Sequence, residues 1–572
     1  MDIKQEYRRW RSRIPKDSFL KQELDEIEEN EAEIKDRFYR DLEFGTGGLR
    51  GKMGAGSNRI NSYTVGRASQ GLAEYLCVSF QNPSVCIAYD TRHMSREFAQ
   101  CAAQVFCANG ITVYLFDAVR PTPMLSFAVR FKKASAGIVI TASHNPKEYN
   151  GYKVYGPDGG QITDGAAAEI FSYITKCDLF TDVKSISLSD AQKAGCLRII
   201  GEGVDVPYYA RVKNLLLRKK LVNTHAKDLK IIYSPLHGAG NIPVRRVLSE
   251  LGYSQLQVVK EQELPDGDFP TAPYPNPEDP SVYQMAIEMA RAENPDLIFA
   301  TDPDCDRIGV LVKNETGAYT VLSGNQTGTL LCDYIIRSNI DLGITPSNPA
   351  VVKTIVTSDM CKQICADANV CLCEVLTGFK YIGELAERWS CHHEHSFLFG
   401  FEESYGYLAG DFVRDKDAVI AAALIAEMAL YYKTQGMSVY QALEKLNQKY
   451  GYFTEKLIAV TMTGKEGQEK ISRIISDLRS NYQASLAKKD LVIFEDYQQS
   501  RRTFCKSGRQ EPLTLPKSNV LKFIFADKSW LVLRPSGTEP KIKLYLSAVG
   551  DSLCSSRKVL RQLEAFAYKI LE

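Results

Sequence analysis

Residues 137–146, Gly137-Ile138-Val139-Ile140-Thr141-Ala142-Ser143-His144-Asn145-Pro146, decide how this chain is read. The first four form a short apolar, mostly β-branched run, the composition of a strand buried on both faces of a parallel sheet. The next six are small, polar or turn-forming, so the strand ends abruptly and Ser143 is predicted at its carboxyl end. Open α/β sheets bind their ligands at that edge. An ordinary turn also contains such residues, so the loop alone does not separate a nucleophile from a turn.

The flanking segments alternate strand and helix. Val85 to Ala88 reads as a strand ending at Asp90, Arg96 to Ala108 as a helix and Thr112 to Phe116 as a second strand. Pro121-Thr122-Pro123 opens another helix, which completes the pattern of a doubly wound sheet. Beyond the loop, Asn150 to Tyr155 turns back as a strand and brings Lys153 to the same rim. Upstream, Phe44-Gly45-Thr46-Gly47-Gly48-Leu49-Arg50-Gly51 places glycines around an arginine. Backbone amides can approach an anion closely there, and Arg50 adds a forked positive charge; a glycine-rich turn fits the composition equally well. Residues 1 to about 43 are highly charged, with Phe19, Leu20, Leu24 and Ile27 at helical intervals, a helical lead-in with one solvated face.

A second α/β unit begins near residue 205. Its loop Pro235 to Asn241 carries His237, expected to hold the loop in place rather than to do chemistry. A proline-rich connection, Pro265 to Pro280, leads to a helix from about Val282 to Ala292 and a strand, Leu297 to Ala300. That strand ends in Thr301-Asp302-Pro303-Asp304-Cys305-Asp306-Arg307. Carboxylates at i, i+2 and i+4 in one tight turn repel each other, and a divalent cation relieves them best. An all-oxygen set suits magnesium, whereas Cys305 is too soft a ligand for it.

A third unit spans about 324 to 450, with strands at Val351 to Val356, Cys371 to Leu376 and Phe397 to Phe399. Thr377-Gly378-Phe379-Lys380 ends one strand and presents a lysine. Gly400-Phe401-Glu402-Glu403-Ser404-Tyr405-Gly406 ends another with carboxylates and hydroxyls suited to a sugar. Arg414-Asp415-Lys416-Asp417 reads by itself as an exposed, charged helix start. The apolar run Ala418 to Tyr432, broken by Glu427, is too short for a bilayer and reads as a buried helix. From about residue 455 the pattern changes to α+β, with strands at Leu457 to Val460, Val520 to Phe525 and Trp530 to Leu533 and a helix from Ser555 to Ile570. Arg534-Pro535-Ser536-Gly537-Thr538-Glu539-Pro540-Lys541 offers the dense donors of a phosphate cradle, with Glu539 able to orient the basic groups.

Charge excludes some partners. Among 572 residues, 70 Lys and Arg balance 69 Asp and Glu, a net charge of +1, so neither nucleic acid nor a membrane surface is recognised by bulk charge. The N-terminal residues have no apolar stretch, and fifteen cysteines without a secretory signal point to reduced thiols and a cytoplasmic location. Cys361, Cys365, Cys371, Cys373 and Cys391 lie near His392, His393 and His395, but their spacing favours core packing over zinc.

TASHNP, DPDCDR, GFEES and RPSGTEP, in that order, resemble the α-D-phosphohexomutase superfamily over nearly the whole chain. The wording of RDKDAV and GFEESYGY is most similar to its long-type bacterial phosphoglucomutase branch, which also holds phosphopentomutases and phosphomannomutases. The resemblance implies three related α/β domains with mixed, mostly parallel sheets (1–204, 205–323, 324–453) and a C-terminal α+β domain (454–572) around a central cleft. It implies a phosphoserine at Ser143 and magnesium on Asp302, Asp304, Asp306 and Ser143. Glucose 1,6-bisphosphate would be intermediate and activator in the exchange of glucose 1-phosphate with glucose 6-phosphate. Arg50 would add catalytic charge, Lys416 would be the general base and His144 the weaker candidate. Lys153, Arg307, Thr377, Gly378 and Lys380 would meet the substrate, Glu402 and Ser404 the sugar hydroxyls, and Arg534, Ser536, Gly537, Thr538 and Lys541 the non-reacting phosphate. Pentose or mannose phosphates, and a sugar-phosphate sensor on a retired mutase scaffold, stay open, as does monomer or dimer.

Overall fold

Among the described residues, four β-sheets follow one another along the chain, each from its own stretch of sequence. This computed structural model describes residues 2–45, 47–462, 464–485, 490–536 and 541–571. The first sheet runs Phe44–Gly45, Gly48–Lys52, Tyr149–Tyr155, Ala136–Ile140, Ser84–Tyr89, Thr112–Phe116, Leu197–Ile200. The second runs Tyr319–Leu322, Ile308–Lys313, Leu297–Thr301, Ile231–Ser234, Leu256–Val258, and the third Cys371–Val375, Pro349–Thr354, Ser396–Glu402, Gly406–Ala409.

One device recurs in all three. A buried strand paired in parallel on one side leads into a polar loop, and the chain returns as an antiparallel neighbour. Ala136–Ile140 does this with Tyr149–Tyr155 around Ser143, and Leu297–Thr301 with Ile308–Lys313 around the three aspartates. Ser396–Glu402 does it with Gly406–Ala409 around Ser404. Each loop therefore sits where the sheet switches from parallel to antiparallel pairing, at the carboxyl end of a strand.

The fourth sheet is antiparallel throughout: Tyr452–Thr461, Lys541–Gly550, Trp530–Pro535, Leu521–Phe525, Leu491–Asp496, Arg501–Phe504, Gln510–Pro512. Its helices are Gly464–Ser485 and Leu553–Leu571. At the other end of the chain the charged lead-in forms three helices, Ile3–Arg13, Phe19–Glu26 and Glu31–Phe38. They are fastened to the first sheet's helices by Trp10, fully buried among Phe38, Tyr63 and Phe180.

The helix Ala418–Thr434 is buried almost all round, and packs on strands of both the second and third sheets. Its Glu427 is not a flaw. The carboxylate accepts from the backbone amides of Leu217 at 3.2 Å and Arg218 at 2.6 Å, which no apolar side chain could satisfy. Glu427→Leu is expected to cost about 2–4 kcal/mol, because two buried amides lose their acceptor; a thermal midpoint equal to wild type would contradict this.

The helix start Arg414-Asp415-Lys416-Asp417, expected to be exposed, is not: Arg414, Asp415 and Asp417 are buried and Lys416 is half-buried. Arg414 pairs with Glu387, Asp415 accepts from Tyr155 Oη at 2.7 Å, and Asp417 accepts from Tyr208 Oη at 2.7 Å while capping the helix through Val419 N and Ile420 N. Partners distant in sequence bury a segment that is charged in isolation. Cys361 and Cys365 lie in the core on the helix Met360–Asp367, Cys371 and Cys373 on a half-buried strand, and His392 and His393 are exposed. Among the described residues no helix is long and apolar enough to cross a membrane.

Candidate active site

Ser143 sits in a turn that its neighbours hold in place. Its backbone lies in the left-handed region (φ 53°), uncommon for a residue with a side chain. Ser143 N donates to Thr141 Oγ1 at 2.8 Å, and Thr141 Oγ1 donates to the buried Asp90 at 2.6 Å. The fully buried Arg92 guanidinium donates to the carbonyls of Ser143, Asn145, Pro146 and Tyr149, gathering the whole loop onto one cation. Ser143 Oγ then donates to Asp302 Oδ2 at 2.8 Å and lies 3.2 Å from His144 Nδ1. Burial, followed by the charges of Arg307 and Arg50, holds His144 well below its ordinary pKa, so its ring is neutral.

The three aspartates are buried, each offering an oxygen within 4.8 Å of the others. Asp306 N and Arg307 N both donate to Asp302 Oδ1 at 3.1 Å. Thr122 Oγ1 at 2.8 Å and Lys153 Nζ at 2.7 Å hold Asp304 Oδ2, and Lys416 Nζ stands 3.2 Å from Asp306. Burial and the neighbouring Asp304 and Asp306 push Asp302 well above the usual carboxylate range. Burial opposes ionisation of Asp304 as well, but the Lys153 charge together with the hydrogen bonds from Asp302, Lys153 and Thr122 outweighs it and keeps that group low. Asp304 Oδ1 and Asp306 Oδ1 are buried without any hydrogen-bond partner. Orphaned carboxylate oxygens beside a hydroxyl make a hard-oxygen donor set, which fits magnesium.

A cleft of about 790 Å³ opens beside this loop, lined from all four sheet regions. Arg50, His144, Arg307, Thr377, Gly378, Glu402, Ser404, Lys416, Arg534 and Lys541 line it. Gly406 makes the close packing possible: a Cβ there would lie 2.1 Å from Lys416 Cδ and 3.1 Å from Glu402 Oε1. Glu403, also in the lining, is pushed up to about 7 by burial and by Glu402.

Two lysines are placed differently from the sequence expectation. Lys380 donates to Asp164 at 2.6 Å and is outside the cleft lining. Lys153 lies beneath the acidic loop, tied to Asp304, so it supports the aspartates rather than facing the cleft. Lys416 reaches the cleft already paired to Asp306 and Asp415. Burial pushes its ammonium down, but the two carboxylates outweigh burial and leave it above the ordinary lysine range. In this arrangement Lys416 is a cation, and His144 is the neutral group beside the hydroxyl. Ser536 is described but does not line the cleft, and Thr46, Gly537, Thr538 and Glu539 lie outside the described residues.

Profiles of all four domains of one family match the chain: Phosphoglucomutase/phosphomannomutase, alpha/beta/alpha domains I, II and III at residues 41–179, 207–317 and 323–450, and its C-terminal domain at 457–555. The chain belongs to the phosphoglucomutase/phosphomannomutase family. It is 40% identical over 510 residues to a phosphoglucomutase of Staphylococcus epidermidis, covering 89% of this chain and 91% of that protein. A phosphoglucomutase of Staphylococcus haemolyticus is 37% identical, covering 90% and 92%. The fold is similar to that of parafusin, a phosphoglucomutase from Paramecium, in its open form (TM-score 0.68, 16% identity, 93% of this chain and 95% of that one). It is also similar to a phosphoglucomutase/phosphomannomutase family protein from Burkholderia thailandensis (TM-score 0.64, 17% identity, 92% and 97%).

Two groups in this member of the family escaped the sequence reading. Arg92 has no local signature, because its carbonyl acceptors lie more than fifty positions later in the chain. Lys543 lines the cleft directly across the strand pair from Arg534. Like charges facing each other destabilise a sheet unless an anion joins them, and burial, then Arg534 and Arg307, lower the Lys543 ammonium. The alternation Lys541-Ile542-Lys543 was the available signal: it turns both lysines to one face.

Proposed function

We propose that this protein is a phosphoglucomutase that interconverts α-D-glucose 1-phosphate and glucose 6-phosphate through a phosphoserine at Ser143. The observation that carries the reading is the pairing of two anion seats on one cleft. Beside the cleft Ser143 Oγ lies against the buried aspartates, and the cleft lining holds Arg534, Lys541 and Lys543. Ser143 would hold a phosphoryl group, which passes to the free 6-hydroxyl of glucose 1-phosphate: the bond from phosphorus to Ser143 Oγ breaks as the bond to O6 forms. The resulting glucose 1,6-bisphosphate turns end for end and returns its other phosphoryl group to Ser143, leaving glucose 6-phosphate.

In that cycle Arg534, Lys541 and Lys543 would grip the resting phosphate, joined, as the resemblance implies, by Ser536, Gly537 and Thr538. Glu402 and Ser404 would take the sugar hydroxyls in both orientations. Arg50, Arg307 and Lys416 would offset charge on the transferred group, and His144, neutral beside Ser143, would accept the hydroxyl proton; Lys416 could do so only after Asp306 releases it. When bound to Asp302, Asp304, Asp306 and the Ser143 oxygen, magnesium would draw charge from the transferred phosphoryl group. Free thiols at all fifteen cysteines support a reducing, cytoplasmic setting.

The test is kcat/KM for glucose 1-phosphate, mannose 1-phosphate and ribose 1-phosphate, each with magnesium and a trace of its bisphosphate. Glucose is expected to lead by about tenfold or more, about 1.4 kcal/mol of transition-state preference. A lead for ribose would overturn the assignment of Glu402 and Ser404 to a hexose while leaving Ser143 and the aspartates in place.

A further inference from the structure

Residues 263–279 form neither helix nor strand, yet the segment is held firmly at both sides. Within the second domain, His237 contacts Thr271 Oγ1 at 2.9 Å and the Leu264 carbonyl at 3.1 Å, as a loop-holding histidine should. Tyr283 Oη donates to the Pro277 carbonyl at 2.8 Å. The opposite side reaches the phosphoryl-transfer apparatus. Phe269 is fully buried with its ring under the Arg92 guanidinium, 5.1 Å from centroid to cation. Tyr274 meets the His144 ring edge-on at 5.9 Å, and Glu278 pairs with Arg307 at 2.7 Å.

These contacts are more than a connection needs. Arg92 gathers the carbonyls of the serine loop, His144 lies beside Ser143 Oγ, and Arg307 lines the cleft. Phe269 adopts a left-handed backbone (φ 46°), which a bulky residue keeps only where its surroundings compel it. Tyr274 is 42% exposed although its ring meets His144 edge-on. Tyr274 lines the cleft together with His144, whose ring stands beside the Ser143 hydroxyl.

We propose that residues 263–279 are a strap through which the second domain positions the serine loop, and that Tyr274 is a positioning residue acting through His144 to keep water from the phosphorylated Ser143. The inference rests on Ser143 as the phosphoryl carrier. The reaction suppressed is hydrolysis: a water oxygen bonds to phosphorus, the bond to Ser143 Oγ breaks, a proton returns to that oxygen and inorganic phosphate leaves. The contact is made by the ring, so Tyr274→Phe should preserve it and Tyr274→Ala should not.

The experiment charges the full-length wild type, Tyr274→Ala and Tyr274→Phe with glucose 1,6-bisphosphate, removes the sugar, and follows phosphoserine by intact mass and released phosphate. Steady-state rates are measured alongside. In Tyr274→Ala the phosphoenzyme lifetime and kcat should each fall about tenfold, with KM within about threefold, as expected for lost positioning and shielding rather than lost binding. Tyr274→Phe should stay within about twofold of wild type on both, since it keeps the ring. A merely structural role would not shorten the phosphoenzyme lifetime while sparing KM. A Tyr274→Ala protein with the wild-type lifetime, or a Tyr274→Phe protein as impaired as the alanine variant, would overturn the strap alone. A wild type that accepts no phosphoryl group on Ser143 would overturn the carrier assignment and the strap with it.

Discussion

Ser143→Ala is expected to lower kcat by at least about 10⁴-fold, the scale seen when a covalent nucleophile is removed. Two nearby hydroxyls are already engaged. Thr141 Oγ1 is committed to Asp90 and to Ser143 N, and Thr122 Oγ1 to Asp304. Binding of glucose 1-phosphate should change little, because the basic cradle and Glu402 lie on other domains of the cleft. The turn itself should survive, since Arg92 grips main-chain carbonyls rather than the serine side chain. Calorimetry would give an affinity within a few-fold of wild type beside a vanished turnover. Residual turnover within a factor of about 100 of wild type would mean another group carries the phosphoryl, because loss of the nucleophile costs far more than that.

Asp302→Asn should separate activity from stability. The amide is nearly isosteric: its oxygen can go on accepting from Asp306 N and Arg307 N, and its nitrogen can donate to Ser143 Oγ where Asp302 Oδ2 accepted. One buried charge is lost from a group of three whose burial and mutual repulsion already drive Asp302 toward its neutral form. The metal-free variant should therefore melt at or above the wild-type temperature. The wild type should gain about 2.7 kcal/mol when magnesium is present at 100 times its dissociation constant, and the variant should gain far less. Mutase activity should fall about 10³-fold, about 4 kcal/mol of barrier. A magnesium-dependent melting shift equal to wild type would show that Asp302 is no ligand.

The loops most legible in the sequence were those with a local signature. An apolar run that gives way to polar residues around Thr141, or around Thr301, announces the end of a buried strand, and the three spaced aspartates announce a charge that needs a counter-ion. What the sequence concealed depends on convergence. Arg414 to Asp417 reads as a solvated helix start because Tyr155, Tyr208 and Glu387, which bury it, are far away in the chain. Lys380 stands beside a loop that lines the cleft, but its rotamer sends it to Asp164. In the C-terminal domain, Arg501–Phe504 and the edge strand Gln510–Pro512 are short and polar, without an apolar run, so pairing, not composition, defines them. Lys543 was hidden for a related reason: its partner Arg534 is a neighbour only once the two strands are in register.

The most direct test is a single turnover. Wild-type protein is phosphorylated with glucose 1,6-bisphosphate, freed of sugar, digested to locate the phosphoryl group, and a matched sample is mixed with glucose 1-phosphate. One phosphoryl group on the peptide containing Ser143, discharged into glucose 1,6-bisphosphate before glucose 6-phosphate appears, is the expected result. A phosphoryl group on any other residue, or its release as inorganic phosphate without a sugar bisphosphate, would contradict a mutase cycle through Ser143.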